Sequence, residues 1–161
     1  MPFSPAWQQA IHLQAIGVVQ NQRLQPIDDQ WGKEISVIEL DAARFKPDSL
    51  KGLESFSHIY VLFYMHQVQS PEIVTGARHP RGQKNWPEVG IFAQRAKGRP
   101  NQLGLSVCEL VGVKDTSITV KGLDAIHETP VLDIKPYFQE FAPRTPVKQP
   151  IWVHELMKNY Y

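Results

Sequence analysis

The sequence predicts a mainly all-β protein: one β-barrel of about seven short strands, with short helices and long loops. Three observations lead there. Short β-branched and aromatic runs recur along the whole chain, helical periodicity is nearly absent, and strands do not alternate with helices as a parallel α/β sheet requires. Length and texture agree. The 161 residues show no compositional break, so residues 1–161 read as one domain, with 143–161 as a proline-rich extension ending in a candidate helix.

Taken in order, Leu13 to Gln20 alternates weakly and reads as a strand, and Glu34 to Leu40 (EISVIEL) is a clearer one. Pro47-Asp48 begins and Gly52 ends one or two helical turns. His58 to His66 (HIYVLFYMH) is almost continuously apolar, which predicts a strand buried on both faces. Residues 69–88 carry Pro71, Gly76, Pro80, Gly82 and Pro87 and read as a long loop. Val89 to Ala93 is a short strand. Leu103 to Lys114 and Ser117 to Gly122 flank the polar pair Asp115-Thr116 as a hairpin. Val131 to Ile134 is the last strand. In Ile151 to Tyr160, Trp152, Leu156 and Tyr160 share one helical stripe.

Composition narrows the function classes. Hydrophobic residues are 42% and charged residues 20%, so the chain is an ordinary globular one. The N-terminus lacks a basic region and an unbroken apolar run, so no secretory signal is expected. The longest apolar run, Ile59 to Met65, is far below the ~20 residues of a membrane span. The single cysteine, Cys108, can form neither an internal disulfide nor a thiolate zinc cluster, which fits a reducing cytoplasm. Net charge is +1, yet residues 78–99 alone carry +5 through Arg78, Arg81, Lys84, Arg95, Lys97 and Arg99 against Glu88. A local basic stretch in a near-neutral chain is either a solvated loop or a site for phosphate or carboxylate.

Several familiar sites are absent. There is no G-x-G-x-x-G and no Walker A motif. His127-Glu128 begins like a zinc helix, but Val131 stands where its second histidine is required. Ser106 has no nucleophile-elbow context, and Cys108 reads as a structural strand residue. No metal site is expected.

Other segments look less like scaffold: LESFSHIYVLFYMH up to His66, GIFAQRAKGRPNQLG from Gly90 to Gly104, and LDAIHETPVLDIKPY from Leu123 to Tyr137. Arg99-Pro100-Asn101 sets a guanidinium beside a fixed-φ proline and a turn-tolerant amide, with Arg95 four residues earlier. Such a loop can face an anion or simply be an exposed turn. Asp133, Lys135 and Tyr137 share one face of a strand. They can pair with one another or contact a ligand. Asp124 either orients the Thr129-Pro130 turn or touches ligand. Trp86 either stacks on a base or folds onto the barrel.

In order and spacing these segments resemble the TrmO/TsaA-like (YaeB-like) family over roughly residues 13–141. The resemblance implies a barrel-shaped S-adenosylmethionine-dependent methyltransferase that methylates N6 of threonylcarbamoyladenosine beside the anticodon of a tRNA. It also implies a homodimer with the cofactor pocket near the subunit boundary. Carried onto this chain, the cofactor-binding residues are His66, Arg95, Arg99, Asn101, Asp124, Asp133, Lys135 and Tyr137. Arg78, Arg81, Lys84 and Lys97 are the expected RNA contacts. Asp133 is the candidate to accept the N6 proton. Methyl transfer from a sulfonium asks mainly for positioning and exclusion of water, so no triad is expected.

The chain departs from the family pattern at Gln94 (usually Thr), Ala96-Lys97 (Ser-Pro), Gln102 (Pro) and His127-Glu128 (Asp-Gly). These departures leave two alternatives open: a non-catalytic S-adenosylmethionine or nucleotide-binding module, and a methyltransferase of a non-RNA substrate. Larger bacterial members carry a further C-terminal domain that helps hold tRNA; with this sequence ending at Tyr161, that contribution is expected to be missing or to come from a partner subunit.

Overall fold

The computed structural model describes residues 9–161, so the start of the segment read for a leader, residues 1–8, lies outside the described residues. Six strands close a barrel in the order β1-β2-β7-β6-β3-β8: β1 (Gly17–Gln20), β2 (Ile35–Leu40), β3 (His58–Tyr64), β6 (Leu103–Lys114), β7 (Ser117–Lys121) and β8 (Pro130–Pro136). All neighbours pair antiparallel. β4 (Ala77–Arg78) and β5 (Val89–Gly90) form a separate two-residue ladder within the long loop.

Closure depends on β6. Its first half pairs with β3 and its second half with β7, and the register shifts between Leu110 and Gly112. A bulge there bends the long strand enough for one sheet to curl onto itself. The hairpin turn sits where the sequence placed it, with Asp115 left-handed at φ 53°. Alternation then fills the interior: Val19, Ile38, Ile59, Val61, Cys108, Ile118, Val120 and Val131 are fully buried, joined by Leu123 from the loop after β7.

The structure corrects two element readings. β3 is not buried on both faces: Ile59, Val61 and Phe63 point inward, while Tyr60, Leu62 and Tyr64 are half-buried on the outer face. Tyrosine rings lie along an outer sheet surface with their hydroxyls free to reach water or a polar partner, which makes a one-sided strand look continuously apolar. The strand read from Val89 to Ala93 stops at Gly90, and Ile91–Ala93 forms a 3-10 turn, closed by the Gln94 amide donating to the Ile91 carbonyl at 3.2 Å. Helical turns appear at Pro47–Leu50, as Pro47 predicts, and again at Leu53–Ser55, where Gly52 precedes a second turn instead of ending the helical stretch. The terminal helix, α1, spans Ile151–Met157.

The His127-Glu128 departure has a structural account. The Asn21 amide donates to His127 Nδ1 at 3.3 Å, and the Glu128 amide donates to the Val19 carbonyl at 2.8 Å, tying the turn to the end of β1. Glu128 is left-handed at φ 62°, where an L side chain is disfavoured and glycine is not. Glu128→Gly is therefore expected to stabilise the fold by about 0.5–1 kcal/mol, after the larger chain entropy of glycine is allowed for. Thermal unfolding checks this; a fall in Tm would mean that the exposed carboxylate makes a stabilising interaction of its own.

Candidate functional site

A polar cluster lies where the loop after β7 meets β6. Gly122, at φ 81°, turns the chain out of β7, and Asp124 follows two residues later. The buried Ser106 on the inner face of β6 donates to Asp124 Oδ1. The Tyr160 hydroxyl donates to the other oxygen at 2.5 Å. Asp124 thus bonds to a strand and to the C-terminal segment, not to the Thr129-Pro130 turn.

Tyr160 arrives there because the C-terminal segment is pinned from two sides. The amides of Gln30 and Trp31 donate to the carbonyls of Asn159 (2.9 Å) and Tyr160 (2.7 Å). The Trp86 indole N–H donates to Glu155 at 2.6 Å, so this tryptophan folds onto the protein. Gly32 leaves room for the passage, since a Cβ there would lie 2.6 Å from the Tyr161 carbonyl carbon. Burial, and then the Asp124 charge, push the Tyr160 hydroxyl far above its ordinary range. The same two causes raise Tyr161 to about 12, with Arg95 opposing them. Burial foremost, then Asp124, raises the Cys108 thiol to about 12, which rules it out as a thiolate nucleophile near neutral pH. Arg95 itself donates to the Leu105 carbonyl, on the stretch of β6 that β7 does not cover.

A second group forms around the Arg99-Pro100-Asn101-Gln102 turn. The Gln102 amide donates to the Arg99 carbonyl at 3.0 Å, and Arg99 donates to the Gln94 carbonyl at 3.0 Å. Gln94 is buried and donates to the carbonyls of Arg78 (3.1 Å) and Val89 (2.8 Å), so it braces the β4–β5 ladder. The Gln102 side chain donates to the carbonyls of Met65 (3.1 Å) and Val68 (2.9 Å) and accepts from the Tyr64 hydroxyl at 3.0 Å. That brings His66 alongside the turn. Its Nδ1 is buried with no hydrogen-bond partner among the described residues. Asn101 is exposed.

The remaining candidates lie elsewhere. On β8 the Asp133 carboxylate pairs with Lys135 at 3.0 Å, with side chains 46% and 73% exposed, so solvent screens the pair. Tyr137 packs on Tyr60 with ring centroids 5.4 Å apart. Asp133 also borders a groove of about 440 Å³ lined by Phe45, Leu50, Leu53 and Phe56. Of the basic residues, Arg81 is committed to Asp29 at 2.8 Å and Asp28 at 3.7 Å, which ties the long loop to the β1–β2 connection. Arg78 is half-buried, with an unpartnered Nε. Lys84 and Lys97 are exposed and form no ion pair among the described residues. Among those residues no cluster of metal-ligating side chains occurs, and no helix is long and apolar enough to cross a membrane.

The sequence singled out Asp124, Arg95, Arg99 and His66 but not their partners. Ser106 stood out only as a failed nucleophile, Tyr160 only as a helix-stripe residue and Gln102 only as a departure. Their one local signal is Ser106 at an inward-facing strand position.

The sequence and the fold both have relatives among known proteins. The tRNA-methyltransferase O N-terminal domain family matches residues 18–142. A human tRNA (adenine(37)-N6)-methyltransferase is 38% identical over 113 residues, covering 70% of this chain and 25% of the human protein. A probable S-adenosyl-L-methionine-binding protein of Methanothermobacter thermautotrophicus is 40% identical over 93 residues, 58% of this chain and 64% of that one. A crystal structure of TrmO superposes with a TM-score of 0.72 at 26% identity, over 89% of this chain and 64% of the other. The chain thus spans about a quarter of the human relative's length. With the matched residues running through every strand of the closed barrel, the chain belongs to the tRNA-methyltransferase O N-terminal domain family.

Proposed function

We propose that this protein binds S-adenosylmethionine and transfers its methyl group to N6 of an adenine next to the anticodon of a tRNA, with threonylcarbamoyladenosine as the substrate nucleoside. The carrying observation is the cluster in which Asp124 is held by Ser106 and Tyr160, with the Tyr160 and Tyr161 hydroxyls acted on by both the Asp124 and the Arg95 charge. The donor set fits the cofactor's chemistry: a carboxylate suits an ammonium or sulfonium cation, and a guanidinium suits a carboxylate. The unpartnered His66 Nδ1 offers a further polar contact. When bound, the cofactor supplies an already activated methyl group.

The chain's own residues then have three tasks. Asp124 and Arg95 bind and orient the charged groups, with Arg99 and Asn101 on their turn and His66 on the segment leaving β3. The half-buried Tyr160 shields the Asp124 side from water, with the exposed Tyr161 packed edge-on against its ring. Asp133, the expected acceptor of the N6 proton, is paired with Lys135 on β8 outside this cluster, so it can serve only where the bound adenine reaches it. Lys84 and Lys97, with Arg78, attract the RNA backbone. We propose a homodimer as well, supported by the outer β6 face, where Leu105, Val107 and Val111 stand exposed beside Tyr60 and Leu62. The buried Cys108 thiol is consistent with a protein of the reducing cytoplasm.

The test is isothermal titration with S-adenosylmethionine and S-adenosylhomocysteine, followed by methylation of bulk tRNA. Micromolar binding with methyl incorporation is expected; absence of binding to both compounds overturns the reading. Binding without turnover would leave a cofactor-binding module. Lys84→Glu and Lys97→Glu are expected to weaken tRNA binding and flatten its salt dependence, each by about one counterion.

A further inference from the structure

Position 102 joins two segments of the second group, the 64–68 stretch leaving β3 and the Arg99 turn. Its backbone is left-handed at φ 51°, and its N–H closes the turn onto Arg99. Its carbonyl accepts the Met65 amide at 2.8 Å. Both ends of its side-chain amide are used, two bonds going to the Met65 and Val68 carbonyls and one coming from Tyr64. No other side chain bonds the 64–68 segment to the Arg99 turn among the described residues. Gln102 therefore holds the two segments together as a side-chain clamp.

We propose that Gln102 is a positioning residue that fixes His66 against the Arg99-Pro100-Asn101 turn, so that the imidazole and the turn meet one ligand together. This rests on the cofactor reading above. His66 lies on a segment leaving β3, just beyond its last ladder pair, Tyr64 with Leu103. Past that pair, the segment's bonds to the turn all end on Gln102, one from the Met65 amide and two to carbonyls either side of His66. Holding a polar group in place before binding lowers the ordering cost of the complex. Through this clamp Gln102 acts on affinity without touching ligand.

The experiment is a double-mutant cycle read by calorimetry with S-adenosylhomocysteine. Gln102→Asn keeps a residue that tolerates positive φ and keeps the backbone N–H, but its amide is one methylene too short for the Met65 and Val68 carbonyls. Gln102→Asn and His66→Ala are each expected to weaken binding by roughly fivefold, and the double variant by no more than the stronger single, because His66 is already released. Independent, multiplying losses, or wild-type affinity in Gln102→Asn, would overturn the positioning role while leaving the cofactor reading intact. No binding by the unaltered protein would overturn both. Should Gln102→Asn fold poorly, Tyr64→Phe removes one bond of the clamp and leaves the turn backbone untouched. It is expected to weaken binding about twofold, again without effect in a His66→Ala background. A full effect in that background sinks the proposal.

Discussion

An Asp124→Asn variant is expected to keep its barrel and to lose affinity for S-adenosylhomocysteine by roughly tenfold or more, the loss typical of a charge-assisted hydrogen bond. Asparagine is nearly isosteric and can satisfy both present partners. Its carbonyl accepts from Ser106, and its amide can donate to the Tyr160 oxygen in place of the present O–H donation. Only the charge is removed, so calorimetry reads the carboxylate's part in binding while thermal unfolding stays near that of the unaltered protein. Asp124→Ala is the contrasting variant. It strands the buried Ser106 hydroxyl and is expected to cost about 1–3 kcal/mol of stability. Unchanged affinity in Asp124→Asn would reduce Asp124 to a strut for the C-terminal segment.

Replacing Gly104 with alanine is expected to destabilise the barrel by about 2–3 kcal/mol, the upper part of the usual range for overpacking. Gly104 is the direct cross-strand partner of Phe63, whose ring is almost fully buried. A Cβ at position 104 would lie 2.2 Å from Cε2 and 2.3 Å from Cζ of that ring. The ring must then leave its rotamer inside a close-packed core, where little can yield. A drop in Tm of about 5–10 °C is the expected readout for a chain of this size. Phe63→Leu in the same chain removes the colliding ring edge and is expected to restore part of the loss. Equal destabilisation with and without that second change would place the strain elsewhere than at the ring.

Much of the barrel was legible because strand signals are local. Glu34 to Leu40 and Leu103 to Lys114 announce themselves through alternation and β-branching, and Asp115-Thr116 through turn chemistry; β2, β6 and the hairpin follow. Where local signals mislead, the cause is tertiary. Tyr60 and Tyr64 made β3 look doubly buried, but a closed barrel has one inside, and the tyrosines lie on the outside. For Asp133 and Lys135 the sequence left pairing and ligand contact both open, and the structure shows the pair.

The sequence by itself determined the all-β class, the positions of the six barrel strands, the structural role of Cys108 and the motifs that mark the family. Each is written in residues near one another along the chain, where period and turn preference act. Only the tertiary structure decided which of those motifs meet. Ser106 reaches Asp124 across 18 residues, Tyr160 reaches it across 36, and Arg81 spends its charge on Asp29 across 52. Such contacts follow from strand order, from the bulge that bends β6 and from the path of the C-terminal segment. None of these leaves a periodic trace, because a hydrogen bond between distant residues constrains where two side chains end, not what lies between them.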